Sequence, residues 1–286
     1  MSEKIGIVID SCGDYPKGIV EKLGLHVLPV HIVVDGKDHL HGVNISNKEV
    51  NRNLKRMRKV HTTPYFPGEC ADFYEKLLER YDRIVAFSIS THLSGCYRSA
   101  TNCLNLLYED EARRIKIFDL GGVSLSLAMV VIKAIQLIRK YNTIDIEPYL
   151  ERYIKEATMW ATVDNLVWLK NGGRVSAFAA FVGGMLDIKP LISLEDAKLQ
   201  PKEKHRGKIT ALRRIVELAE ERYNELDGKA NVWIGHCENL NEILRTREIL
   251  AERIGLEPRK IPVVEVGATI SVHTGPGSAC VAMLPK

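Results

Sequence analysis

Ser94, in Leu93-Ser94-Gly95, is the first residue whose setting suggests chemistry. An apolar run, Ile84-Val85-Ala86-Phe87, precedes it and reads as a buried strand. A helical pattern starts at Cys96, with Cys96, Ala100, Cys103, Leu104 and Leu107 on one face. A strand that breaks at Ser-Gly and restarts as a helix leaves free N–H groups, which together with the helix dipole favour an anion. Ser94 is placed either to cap that helix or to bind the anion directly. His273 stands in His273-Thr274-Gly275-Pro276-Gly277, a turn that can wrap backbone closely around a ligand or serve only structure. Thr62-Thr63 offer two adjacent hydroxyls in a loop, for a ligand or for turn and cap chemistry. Asp10-Ser11 close the first expected strand, where polar residues either line a crevice or cap the next helix near Pro16. Arg174 follows Gly172-Gly173, which fits a helix C-cap and also the setting of a recognition arginine.

The elements that must position these residues follow from the apolar pattern. Strands are expected at Lys4 to Ile9, Val27 to Val34, Ile84 to Phe87 and Arg114 to Asp119. Asp35-Gly36 reads as a hairpin turn. Helices are expected at Asn47 to Arg58, Ala71 to Arg80, around Val123 to Ile138, and at Ile146 to Ala157. Between them His61 to Glu69 reads as a loop, because two prolines and a glycine oppose regular structure. The alternation implies a parallel sheet covered on both faces. From about Trp160 the texture changes. A short helix is expected at Asp164 to Asn171, an apolar segment at Phe178 to Met185, and a hairpin at Asp187 to Ser193 and Lys198 to Lys202. Then come a helix at Ile209 to Leu226, a strand at Asn231 to Cys237, a helix at Glu242 to Ile254 and a last strand at Ile261 to Gly267. The fold expected is α/β in two domains: a Rossmann-like, parallel-sheet domain over 1–160 and a mixed-sheet domain over 161–286.

Length and composition agree with this. The chain has 286 residues, 45% hydrophobic and 27% charged, enough for a sizeable core. A net charge of +4 does not point to nucleic acid, and the basic run Arg52, Lys55, Arg56, Arg58, Lys59 reads as a solvated face. None of the six cysteines forms a C-x-x-C pair, so no zinc or dithiol redox site is signalled. Cys96, near a helix start, reads as a small buried residue before it reads as a stabilised thiolate. The start, MSEKIGIVID, enters a strand directly, and the most apolar helix carries Lys133 and is too short for a bilayer. A cytoplasmic protein with reduced thiols is expected. No P-loop, H-E-x-x-H or G-x-G-x-x-G after the first strand is found, so neither a metal nor a nucleotide cofactor is expected.

Taken together, the motifs resemble those of the DegV family of fatty-acid-binding proteins. They run in the family's order: Ile5-Gly6-Ile7-Val8-Ile9-Asp10-Ser11, Thr62-Thr63, Leu93-Ser94-Gly95, Leu169 to Arg174, Lys189 to Ile192, and His273 to Gly277. The resemblance implies one long-chain fatty acid held in a tunnel between two α/β domains. Its carboxylate would be bound by Thr62, Thr63, Ser94, Gly95, His273 and Thr274, with His273 acting directly or through water. It implies a carrier and not an enzyme. A separate fatty acid kinase would convert the presented carboxylate to an acyl-phosphate, with Arg174 and Arg206 docking that kinase. On residue types alone Arg206, in Lys204-His205-Arg206-Gly207-Lys208, also reads as a solvated basic turn. The chain departs from the family pattern at Cys96, at Pro64-Tyr65 and at Ser124 to Ala128, where larger residues replace glycines and are expected to narrow or redirect the far end of the tunnel. The alternative is a serine hydrolase or acyl-transfer enzyme using Ser94 and His273, with an aspartate such as Asp10. Against it, Leu93-Ser94-Gly95 lacks the G-x-S-x-G elbow.

Overall fold

A computed structural model of the chain describes residues 3–56, 58–171 and 187–286. Arg174, the glycines at 172–173 and the apolar segment 178–185 lie outside the described residues. The fold is α/β, with a parallel sheet in the first half and a mixed sheet in the second.

The chain opens with β1 (Ile5–Asp10), α1 (Ile19–Leu23) and β2 (His26–Leu28), followed by β3 (His31–Val34) and β4 (Lys37–Leu40). The single strand expected at Val27 to Val34 is in fact two strands in different sheets. Pro29 sits at the break and has no N–H to give a ladder. The next N–H, that of Val30, donates to Ser11 Oγ at 2.9 Å. β2 runs parallel to β1, whereas β3 pairs antiparallel with β4 through a two-residue turn. Asp35 and Gly36 both take positive φ there, 48° and 82°, as the expected hairpin turn requires.

Next come α2 (Asn47–Lys55), β5 (Val60–Thr63) and α3 (Pro67–Leu78). The loop expected at His61 to Glu69 is therefore mostly regular. Thr62 and Thr63 lie on β5, opposite Ile32 and His31 of β3. The prolines bound these elements instead of interrupting them. Pro64 follows the strand, and Pro67 opens α3 at a first-turn position where its missing N–H costs nothing.

β6 (Arg83–Ser88), α4 (Cys96–Cys103), α5 (Glu109–Ala112) and β7 (Ile115–Asp119) complete a four-stranded parallel sheet of order β2-β1-β6-β7. Its central strands are buried on both faces, which is why they read as unbroken apolar runs. The long helix α6 (Ser124–Tyr141) and α7 (Glu147–Glu156) lead to β8 (Thr158–Thr162) and α8 (Val167–Asn171).

The second sheet is built from β8, β9 (Ile188–Glu195), β10 (Lys198–Arg206), β11 (Ala230–His236), β12 (Val263–Glu265) and β13 (Ala279–Pro285). α9 (Lys208–Glu225), α10 (Leu240–Arg253) and α11 (Ala268–Thr274) connect them. The order is β10-β9-β8-β13-β11-β12, and only the β11–β12 pair is parallel. The strand expected to be last, Ile261 to Gly267, contracts to β12, and the chain continues into β13 at the centre of the sheet. All seven β13 residues are buried. The division expected after residue 160 falls inside β8, whose partners are β9 and β13.

α6 packs against β13, β11 and β8 as well as α7. Residues of both sheets join one core through it, from Val8 and Phe87 to Ala282 and Leu284. Among the described residues no helix is long and apolar enough to cross a membrane. Within the basic run, Lys55 pairs with Glu238 and Arg58 with Asp35.

One buried histidine fixes the β3–β4 hairpin to α3. His31 Nδ1 lies 2.7 Å from Asp38 and Nε2 lies 2.9 Å from Glu69. Burial acts to lower its pKa, but the two carboxylates more than offset this and hold it above the ordinary value. The raised value means that its contribution to stability is full below roughly pH 6.5, the unfolded value, and is lost as pH rises through the folded one. The melting temperature of the wild type should therefore fall towards that of a His31→Gln variant as pH rises past the unfolded value and through the raised folded one. A gap independent of pH would show that the pair carries no charge linkage.

Candidate hydroxyl-lined ligand site

α11 brings residues far apart in sequence together. His273 is on this helix, not in the turn expected from His-Thr-Gly-Pro-Gly, and Gly275 ends the helix at φ 72°. α11 packs on α2 and β5. That contact sets His273 Nε2 at 2.8 Å from Thr62 Oγ1, between residues 211 apart in sequence. Strand alternation separates the two threonines. Thr62 lines a cavity of about 70 Å³ beneath α11, and Thr63 is not among its lining residues.

Ser94, Thr269 and Thr274 line the same cavity. Ser94 precedes α4, whose N-cap is Gly95. Its Oγ accepts the Cys96 N–H at 3.3 Å and donates to Cys96 Sγ at 3.1 Å. Ser94 thus takes one of the free N–H groups of the helix start and still faces the cavity. Gly95 packs under Pro64, which an added Cβ would meet at 3.1 Å. Thr274 accepts from Ser278 Oγ at 3.0 Å.

A second cavity of about 60 Å³ abuts the first and shares Val123, Leu169, Leu199, Ile270 and Thr274 with it. Its further walls include Met159, Val163, Ile192 and Val266. Ser124, from the segment expected to shape the far end, also lines it. The pair places hydroxyls and an imidazole at one end and a mainly apolar wall at the other, where Thr162 and Ser278 join Ser124 at the border. Among the described residues neither cavity is lined by lysine or arginine. A larger concavity, about 500 Å³, lies elsewhere, in an open groove between α9 and α10, and includes none of these hydroxyls.

Asp10 is committed to structure. Its carboxylate accepts from Ser88 Oγ and from the Ile89 and Cys12 N–H groups. Burial raises its pKa against those bonds. It ties β1 to β6 and neither orients His273 nor caps α1, whose N-cap is Gly18. Ser11 likewise holds Val30 and Thr269. Cys12, beside the cavity, is kept a thiol by its contact with the Cys96 thiol and by burial. Arg206 ends β10 and is exposed, as the last residue of an edge strand and not part of a turn.

Sequence reasoning missed Thr269 and its neighbours. Thr269 Oγ1 meets His41 Nδ1, and His41 Nε2 meets Asn47. The spacing held a signal: Thr269 and His273 are four apart, so on a helix they share a face. Reading 273–277 as a turn concealed it.

Comparison with known proteins agrees with this architecture. A family model described as an uncharacterised protein of the DegV family matches residues 4–286. A DegV domain-containing protein of Caldanaerobacter subterraneus is 29% identical over 278 residues, covering 97% of each chain. A structure described as showing fatty acid binding of a DegV family protein from Thermus thermophilus superposes with a TM-score of 0.87 at 25% identity, covering 99% of this chain and 100% of that one. The structure of DegV from Bacillus subtilis, described as a fatty acid binding protein, gives 0.84 at 25% identity over the whole of both chains. With the family model matched over residues 4–286 and these solved structures superposing on nearly the whole chain, the chain belongs to the DegV family.

Proposed function

We propose that this protein binds one long-chain fatty acid, with its carboxylate among Thr62, Ser94, His273 and Thr274 and its chain running into the apolar cavity. The observation that carries this reading is the abutment of a hydroxyl-lined cavity and a carbon-lined one. At about 0.8 kcal/mol per buried methylene, each carbon of the chain taken into the apolar cavity offsets part of the association cost. The absence of lysine and arginine among the described lining residues suits presentation of the carboxylate, since a guanidinium clamp would shield it from phosphoryl transfer.

The protein then acts as a carrier, and a separate kinase forms the acyl-phosphate. Arg206 is part of the surface the kinase reads, together with Arg174. The division of the chain near residue 160 is the boundary across which the ligand lies. The hydrolase alternative gains nothing from the geometry, because Ser94 engages Cys96, His273 engages Thr62 and Asp10 ties two strands.

Mass spectrometry of the organic extract of freshly purified protein tests the reading. A stoichiometric fatty acid is expected. An empty protein that also fails to take up fatty acids of several lengths would refute it. For the partner surface, Arg206→Glu is expected to leave fatty-acid binding unchanged and to lower acyl-phosphate formation by an added kinase by about tenfold, the effect of one lost charged contact. Loss of fatty-acid binding instead would make Arg206 a structural residue.

A further inference from the structure

The Thr269 hydroxyl joins two hydrogen-bond networks. Its Oγ1 lies 2.7 Å from His41 Nδ1 and 3.3 Å from Ser11 Oγ. The other nitrogen of His41, Nε2, lies 3.0 Å from Asn47 Oδ1. The same Oδ1 accepts the Ala268 N–H at 2.8 Å. An N–H is satisfied only by an acceptor, so the oxygen of Asn47 must face Ala268. His41 therefore carries its proton on Nε2 and, when neutral, presents a bare Nδ1.

The remaining protons follow. Thr269 donates its hydroxyl proton to His41 Nδ1. Ser11 Oγ accepts the Val30 N–H at 2.9 Å, which leaves its own proton for Thr269 Oγ1. While His41 is neutral, Thr269 lines the head of the cavity but has no proton to offer it. A second proton on the ring reverses this. Nδ1–H and Ser11 O–H then both donate to Thr269, and the Thr269 proton is left to turn towards the cavity.

We propose that His41 is a positioning residue for an anion bound in this cavity: a carboxylate arriving there draws a proton onto His41, and the protonated ring makes Thr269 a donor to the ligand. The inference rests on the fatty-acid reading above. A buried carboxylate without a counter-charge is costly, and the described cavity lining supplies no lysine or arginine. Without ligand, burial lowers the pKa of His41 and outweighs Asn47 and the Ser11 backbone, both of which favour the charged ring, so the ring is neutral at pH 7.5. Three other titratable groups face this region. Asp14 lies across Gly267, where an added Cβ would meet its Oδ1 at 2.8 Å and His41 Cε1 at 3.1 Å. Glu265 acts on Asp14, and His273 follows Thr269 by one turn of α11. Burial raises Asp14 to about 6, so it too can take a proton and must be separated from His41 by experiment.

The test is calorimetry of oleate binding to the full chain at pH 7.5 in buffers of different ionisation heat, read beside the ring ¹⁵N signals of His41. Before oleate, the ring should show the neutral Nε2–H pattern, and an Nδ1–H pattern would overturn the assignment. With oleate, the signals should move to imidazolium, and up to one proton should be taken up. His41→Gln should abolish the uptake and weaken binding about tenfold, the value of one hydrogen bond to a charge. Asp14→Asn should leave the uptake in place. If His41→Gln folds poorly, Asn47→Asp serves instead: its carboxylate should hold His41 protonated beforehand, so oleate binds without uptake. Oleate bound to a neutral His41, or uptake that persists in His41→Gln, overturns this inference alone. No oleate binding at all overturns the fatty-acid reading and takes this one with it.

Discussion

A Thr62→Val, Ser94→Ala double variant should bind fatty acid about a hundredfold to ten-thousandfold more weakly than the wild type while keeping its melting temperature within a few degrees. Each hydroxyl offers the carboxylate one hydrogen bond, and a bond to a charged group contributes about 1.5–3 kcal/mol. Ser94→Ala alone should cost about tenfold or more on the same basis. Folding is spared for a local reason. Among the described residues the Ser94 hydroxyl bonds only to the neighbouring Cys96, so its loss breaks no tie between distant elements, and the backbone of Thr62 keeps its place on β5 whatever its side chain. Titration with a fluorescent fatty acid, alongside circular dichroism, gives both quantities. A folded double variant with unchanged affinity would place the carboxylate elsewhere.

The second large effect falls on stability. Gly275→Ala should lower the melting temperature by about 6–12 °C, from a loss of about 3 kcal/mol or more. Two costs add. Gly275 sits at φ 72°, where a Cβ is strained. An added Cβ would also fall 2.0 Å from Cδ1 of the Trp168 indole, whose side chain is buried in the cluster around α2, α11 and β5. The indole cannot move away without opening that cluster. Because Gly275 ends the helix that carries Thr269 and His273, fatty-acid affinity should fall with stability. A thermal shift measurement settles the first point, and a variant as stable as the wild type would mean that Trp168 has room to turn.

The sequence showed some of this plainly and hid the rest for identifiable reasons. β1 and β6 were legible because a strand buried on both faces is an unbroken run of Val, Ile and Phe. Asp35-Gly36 was legible because few residues accept two positive φ values in succession. Proline misled in both directions. Pro29 separates two strands that read as one, while Pro64 and Pro67 mark the ends of regular elements that read as a loop. β13 was concealed by its own burial. Ala-Cys-Val-Ala-Met-Leu-Pro has neither alternation nor strong β-branching, since a central strand shows no polar face. At the site, Ser94 and Thr62 could be named from the resemblance, but the Thr269–His41–Asn47 network could not. His41 and Asn47 are six residues apart, but Thr269 lies 228 residues beyond His41, and nothing in the spacing of the first two joins them to it.

The place of β13 has a consequence for biosynthesis. It fills the middle of the second sheet, with β8 on one side and β11 on the other, yet it leaves the ribosome after every strand it joins. Until it emerges, β8 and β11 each present an open edge, and the inner walls of the carbon-lined cavity that Ala279 and Cys280 supply do not exist. The nascent chain therefore cannot hold a lipid, and its second half stays a set of sticky edges for the length of its synthesis. A nonsense codon just before Ala279 would leave β8 and β11 without the strand between them and a product fit mainly for aggregation or proteolysis.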